Sequence, residues 1–154
     1  MITNLLNQQP HPLQLDKIQT LTDWLALKLE AETAPAAWNE VCLVLVDDDG
    51  ITQTNREYFD KDRPTDVISF RYDPIPGEED GLTGDLIVNV DRAIQVGPEH
   101  EGTNYELALY IAHGFDHLTG AEDDTPEKKA AMLKTETTWL EEAGNEGLVE
   151  GLFS

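Results

Sequence analysis

The stretch from His113 to Asp124 constrains this chain more than any other. It closes an apolar, helix-like run, and two of its residues, His113 and His117, stand four apart. Residues four apart on a helix share a face, with Cβ atoms about 5–6 Å from each other. Two imidazoles placed so can reach one metal ion from the same side. Gly120 follows three residues after His117, and glycine readily takes the left-handed conformation that ends a helix. The chain can then turn back, so that a side chain six residues past His117 meets the same ion. That residue is Asp123, with Glu122 and Asp124 competing for the place. The fold must therefore present the end of this helix to a cleft.

The layout of two histidines, a glycine and a third ligand is shared with the metzincin zinc signature, although Gly114 stands where zincins carry their glutamate. Zinc accepts carboxylate oxygen as well as imidazole nitrogen, and two histidines with one carboxylate make a working catalytic set that leaves an open position. The expected centre is one Zn2+ held by His113, His117 and Asp123, the same three residues being the catalytic group. Asp116 flanks the ligand face. On so acidic a chain the simpler reading is an exposed acid, and the alternative is a residue that orients His117 or takes a proton.

The charge balance restricts the function further. There are 31 acidic and 10 basic residues, a formal net charge of −21. Such a surface repels phosphate backbones and argues against a general nucleic-acid binder, DNA included. Acidic, lysine-poor surfaces also suit high salt, where the Debye length falls to about 3 Å at 1 M. The 154 residues fit a single domain, 1–154, with a sizeable core. No run of eighteen apolar residues and no signal-like start is visible, so a soluble, cytoplasmic protein without a membrane partner is expected. The single cysteine, Cys42, reads as a buried strand residue.

Along the chain, residues 2–9 suit an edge strand. Leu15, Ile18, Leu21, Leu25 and Leu29 recur at three- and four-residue steps, an amphipathic helix ended near Pro35. Val41 to Val46 is a buried strand, and the Asp47–Gly50 turn leads into a short helix from Ile51 to Phe59. Val67 to Phe70 is a strand, 73–81 a proline- and glycine-rich loop, and Leu86 to Val90 another strand, after which Asp91 can cap a helix. The histidine helix spans Thr103 to Leu118. Thr125-Pro126 starts a last helix with Met132, Leu133, Trp139 and Leu140 on its apolar side. The tail from Gly144 reads as loosely held. These elements predict an α/β (α+β) fold: a small mixed sheet of about four strands covered by helices, with the metal-site helix near the C-terminus.

Three stretches together resemble one family. They are the run Asn55-Arg-Glu-Tyr-Phe-Asp-Lys-Asp-Arg-Pro-Thr-Asp-Val-Ile-Ser-Phe70, the strand Gly84-Asp-Leu-Ile-Val88, and the histidine helix. In order and spacing they are similar to the bacterial YbeY proteins, metal-dependent endoribonucleases of ribosomal RNA maturation. The resemblance implies a zinc-dependent, single-strand-specific endoribonuclease working on ribosomal RNA and the small ribosomal subunit. The chain departs from the family at four places. Asp123 stands where the family has its third histidine, Ala121-Glu122 replace Tyr-Asp, Asp116 replaces a leucine, and Phe59 falls where many members carry an arginine. RNA needs cations, and Arg63 and Arg71 bracket the matched Thr65–Phe70 segment. These two arginines, with Ser69, are the expected substrate-binding residues, against the simpler reading of salt pairing with Asp60, Asp62 and Asp66. Two other functions stay open: a non-catalytic ribosome-associated factor that keeps the fold, and a metal hydrolase of another substrate.

Overall fold

The computed structural model describes residues 1–77 and 81–154. Its elements alternate early and turn helical late, as the sequence predicts. They run β1 (Ile2–Gln8), α1 (Leu15–Thr33), β2 (Trp38–Val46), α2 (Asp48–Phe59), β3 (Val67–Tyr72), β4 (Leu82–Asn89), α3 (Val90–Val96), a 3₁₀ turn (Gly97–Glu99), α4 (Thr103–Leu118) and α5 (Pro126–Asn145). The sheet has the order β1-β2-β4-β3. β1, β2 and β4 run parallel, and β3 is the antiparallel edge, pairing Val67 with Val88 and Tyr72 with Thr83. The mixed α/β architecture follows from the chain itself: parallel neighbours need helical crossovers, and α1 and α2 supply them.

One face of the sheet carries the main core. Val41, Leu43, Leu45, Leu86 and Val88 meet Ile18, Leu21, Leu25 and Leu29 of α1 and Leu107, Ile111 and Phe115 of α4, all of them fully buried. The histidine helix is thus pinned lengthwise against the sheet. Gly114 shows how closely: a Cβ built there would meet Leu86 Cδ2 at 2.9 Å and Val67 Cγ2 at 3.3 Å. The residue after the first histidine is a glycine because the helix touches β4 and β3 at that point. The other face is covered in part by α2, through a smaller cluster of Val46, Ile51 and Ile68 with Val44, Phe70 and Ile87 packed around it.

Several local expectations change, among them Leu133, which is 53% exposed and lies off the buried side of α5. Val90 is the first residue of α3, not the end of β4, and the cap is Asn89, whose side chain accepts from Arg92 N–H. Asp91 sits in the first turn, where its carboxylate takes His11 at 2.6 Å and the Asp48 N–H at 2.8 Å. Cys42 is half-buried, because it points to the less covered face of the sheet. The C-terminal tail is held rather than loose. Leu152 is fully buried, the N–H groups of Leu152 and Phe153 both donate to Asn104 Oδ1, and Gln14 N–H donates to Leu152 O at 2.8 Å. Its glycines made the segment look free, but its apolar residues have a place in the core. The Pro- and Gly-rich connector 73–81 lies partly outside the described residues.

Candidate metal centre

Three elements bring the donors together. The last turns of α4 carry His113 and His117. Gly120, at φ +97°, reverses the chain just past the helix, and the following turn returns Asp123 over the two rings. The imidazole Nε2 atoms stand 3.1 Å apart, and Asp123 Oδ2 is 3.8 Å from the first and 3.6 Å from the second. Ligands 2.0–2.2 Å from a tetrahedral zinc are separated by roughly 3.3–3.5 Å, so this triangle has the size the metal needs. Among the described residues these three form the one group of His, Cys, Asp or Glu side chains whose donor atoms converge on a common point, within 4.8 Å of one another. Glu122 and Asp124 turn outward, and both pair with Lys128 Nζ, at 3.3 and 3.2 Å.

The far side of each ring is also held. His117 Nδ1 is 3.1 Å from the Ala121 carbonyl, and His113 Nδ1 is 3.0 Å from both oxygens of Glu136. A carbonyl can only accept, so His117 carries its proton on Nδ1 and turns the lone pair of Nε2 toward the shared point. The Glu136 carboxylate imposes the same tautomer on His113. Ring nitrogens held by a carboxylate and a carbonyl are the usual outer support of a metal site, and the donor set fits a divalent ion such as zinc. Burial lowers the His113 pKa, but the Glu136 hydrogen bond and charge, with Asp66 and Asp123, outweigh it and hold the pKa above the ordinary histidine value.

Asp116 is not an exposed acid, and it does not orient His117. It is 4% exposed, packed in the core side of α4, with Oδ2 lacking any partner. Burial pushes its pKa up to about 8, and the Glu136 carboxylate beside it adds to the shift. Asp116 is therefore held protonated at neutral pH by its burial and by the neighbouring Glu136. Glu136, 2% exposed, is the functional residue that sequence reasoning missed. The signal was there: it interrupts the apolar stripe of α5 formed by Met132, Trp139, Leu140 and Ala143.

The centre opens on a cavity of about 580 Å³ lined by Asn55, Phe59, Lys61, Arg63, Pro64, Thr65, Val67, Ile68, Ser69, His117 and Asp123. Arg63 and Ser69 thus face the metal group. Among the described residues no carboxylate lies within 4.0 Å of Arg63, while Asp62 is taken by Arg56. Arg71 lies outside this cavity, its guanidinium donating to Leu118 O at 3.4 Å and pairing with Asp73 at 3.8 Å. The loop carrying Arg63 is set by Asn55, a buried side chain that donates to Arg63 O at 2.9 Å.

A family model described as Endoribonuclease YbeY matches residues 4–144. The chain belongs to the YbeY family. Among its curated relatives, the YbeY endoribonuclease of Nocardioides sp. is 32% identical over 140 residues, covering 86% of this chain and 91% of that protein. The YbeY endoribonuclease of Moorella thermoacetica is 37% identical over 142 residues, covering 86% and 90%. The solution structure of a Thermotoga maritima protein shares the fold, with a TM-score of 0.65 and 20% identity over 99% of this chain and 97% of that one. Asp123 and Phe59 line the site just described, and Asp116 lies buried behind it.

Proposed function

We propose that this protein is a zinc-dependent endoribonuclease that prefers single strands and acts in the cytoplasm on ribosomal RNA of the small subunit, in its maturation and quality control. The observation that carries the reading is the convergence of His113, His117 and Asp123 beside a cavity holding Lys61, Arg63, Thr65 and Ser69. The names of the relatives support it.

His113, His117 and Asp123 would hold the ion. When bound, it supplies Lewis-acid polarisation of a phosphodiester and a lowered pKa for water. Asp123 in place of an imidazole lowers the net charge of the site by one, which weakens that acidity. Glu136 and the Ala121 carbonyl keep both rings aimed. Lys61 and Arg63 neutralise the scissile phosphate as it gathers charge. The Ser69 and Thr65 hydroxyls donate to its oxygens, and Arg71 meets a more distant phosphate along β3. Either a 2′-hydroxyl or water can serve as nucleophile in this arrangement.

A second reading, a ribosome-associated factor that does not cleave, is favoured by Phe59 at the arginine position and by the charge of −21. Cleavage of a structured ribosomal RNA fragment over a salt series, with and without chelator, separates the two. Nuclease action predicts chelator-sensitive cleavage that first rises with salt, as screening removes the global repulsion, and then falls as counterions compete. Absence of cleavage at every salt concentration, with the RNA bound, supports the non-catalytic factor.

A further inference from the structure

Four aromatic side chains crowd the β3 edge beside the cavity. Phe59 ends α2 at 48% exposure, and Tyr58 and Tyr72 are 65% and 47% exposed. The Phe59 and Phe70 rings are nearly parallel, 5° apart with centroids at 6.0 Å, and Phe70 and Tyr72 continue the row at 23° and 6.4 Å. Tyr58 tilts against Phe70 at 5.0 Å and 57°. The Tyr72 hydroxyl donates to Asp85 Oδ2 at 3.1 Å, which fixes the end of the row. Centroids at 6 Å or more mean offset rather than eclipsed rings. Phe70 is half-buried on the small cluster under α2, and Tyr58, Phe59 and Tyr72 stand in water around it; large aromatics left together in water mark a binding surface rather than packing.

The row is continuous with the candidate metal centre, because Phe59 lines the same cavity as His117 and Asp123. It is also flanked by cations on a chain that has few: Lys61 and Arg63 line the same cavity. A surface of charge −21 cannot gather a polyanion by general attraction. Base stacking on aromatic rings does not depend on charge, tolerates any sequence and needs an unpaired base with an open face.

We infer that Phe59 and Tyr72, seated on Phe70 and flanked by Tyr58, are a stacking platform for unpaired bases of an RNA strand that enters the cavity at Arg63. The inference rests on the ribonuclease reading for its ligand, and it assigns substrate selection to this row.

Binding is measured by fluorescence anisotropy of a labelled single-stranded oligoribonucleotide on the full chain. Chelator is present throughout, so that no cleavage enters, and the salt concentration is varied. The comparison ligands are an abasic ribose-phosphate strand of equal length and a duplex. Wild type should bind the base-bearing single strand about tenfold or more tighter than either. Phe59→Ala and Phe59→Leu should each lose about tenfold, and Phe59→Trp should retain wild-type affinity. The salt slope should stay the same, because no phosphate contact is removed. Tyr72→Ala, at the far end of the row, should weaken longer strands and spare the shortest. Equal binding of the abasic strand, or wild-type affinity in both Phe59→Ala and Phe59→Leu, overturns the platform. Base-dependent binding that Phe59→Ala weakens, in a protein that never cleaves, keeps the platform and removes the nuclease reading instead.

Discussion

Replacing Asp116 by asparagine should stabilise the protein, and by an amount that depends on pH. Asp116 is 4% exposed, one of its oxygens has no partner, and burial beside Glu136 pushes its pKa up to about 8 from 3.8. The folded state therefore binds this proton between about pH 4 and pH 8 while the unfolded chain has lost it. More protons on the folded side means that stability falls as pH rises, by about 1.4 kcal/mol per unit for a single group across that window. At pH 7 proton uptake costs at most ~4 kcal/mol, since each pKa unit is worth about 1.4 kcal/mol. Relaxation around the variant reduces what is observed, so Asp116→Asn is expected to gain about 1–3 kcal/mol at pH 8 and close to nothing at pH 4. Asparagine keeps the shape and carries no titrating proton. Urea unfolding of both proteins in chelator, at constant high salt and at several values from pH 4 to pH 8, measures the difference. General repulsion among the surface acids cancels between the two. A difference that stays flat with pH, or a variant less stable at pH 8, would refute a proton on Asp116.

Glu136→Gln should lower zinc affinity about 10- to 100-fold with little effect on the fold, as for other carboxylates behind a metal-bound histidine; competition with a chromophoric chelator gives the number. Gly114→Ala should destabilise by about 1–3 kcal/mol, because the new methyl meets Leu86 at 2.9 Å and the helix must move from the sheet; thermal unfolding reads it. Asp123→His should tighten zinc binding, and Asp123→Ala should weaken it, while Asp124→Ala leaves it unchanged because Asp124 points to Lys128.

Much of this was legible in the chain because it is local. The histidine spacing, the glycine three residues on and the acid three further predict the donor triangle, since helix geometry relates the two histidines and a left-handed glycine just past the helix returns the acid to them. The start of α5 at Thr125-Pro126 follows from capping, and Thr125 does accept from Lys128 N–H. What stayed hidden depends on contacts between distant segments. Glu136 lies 23 positions past His113 on another helix, and only its intrusion into an apolar stripe marks it. Asp116 looked exposed because the chain is acidic throughout, whereas its position beside Phe115 turns it inward. The tail looked free by composition, and Asn104 in α4 anchors it.

Calorimetric titration of zinc into the purified, chelator-stripped protein tests the central claim most directly. About one ion per wild-type chain is expected, and none for His113→Ala or His117→Ala, with circular dichroism showing both variants folded. Wild-type zinc binding in His117→Ala would contradict it, because no other group among the described residues is built to hold the ion.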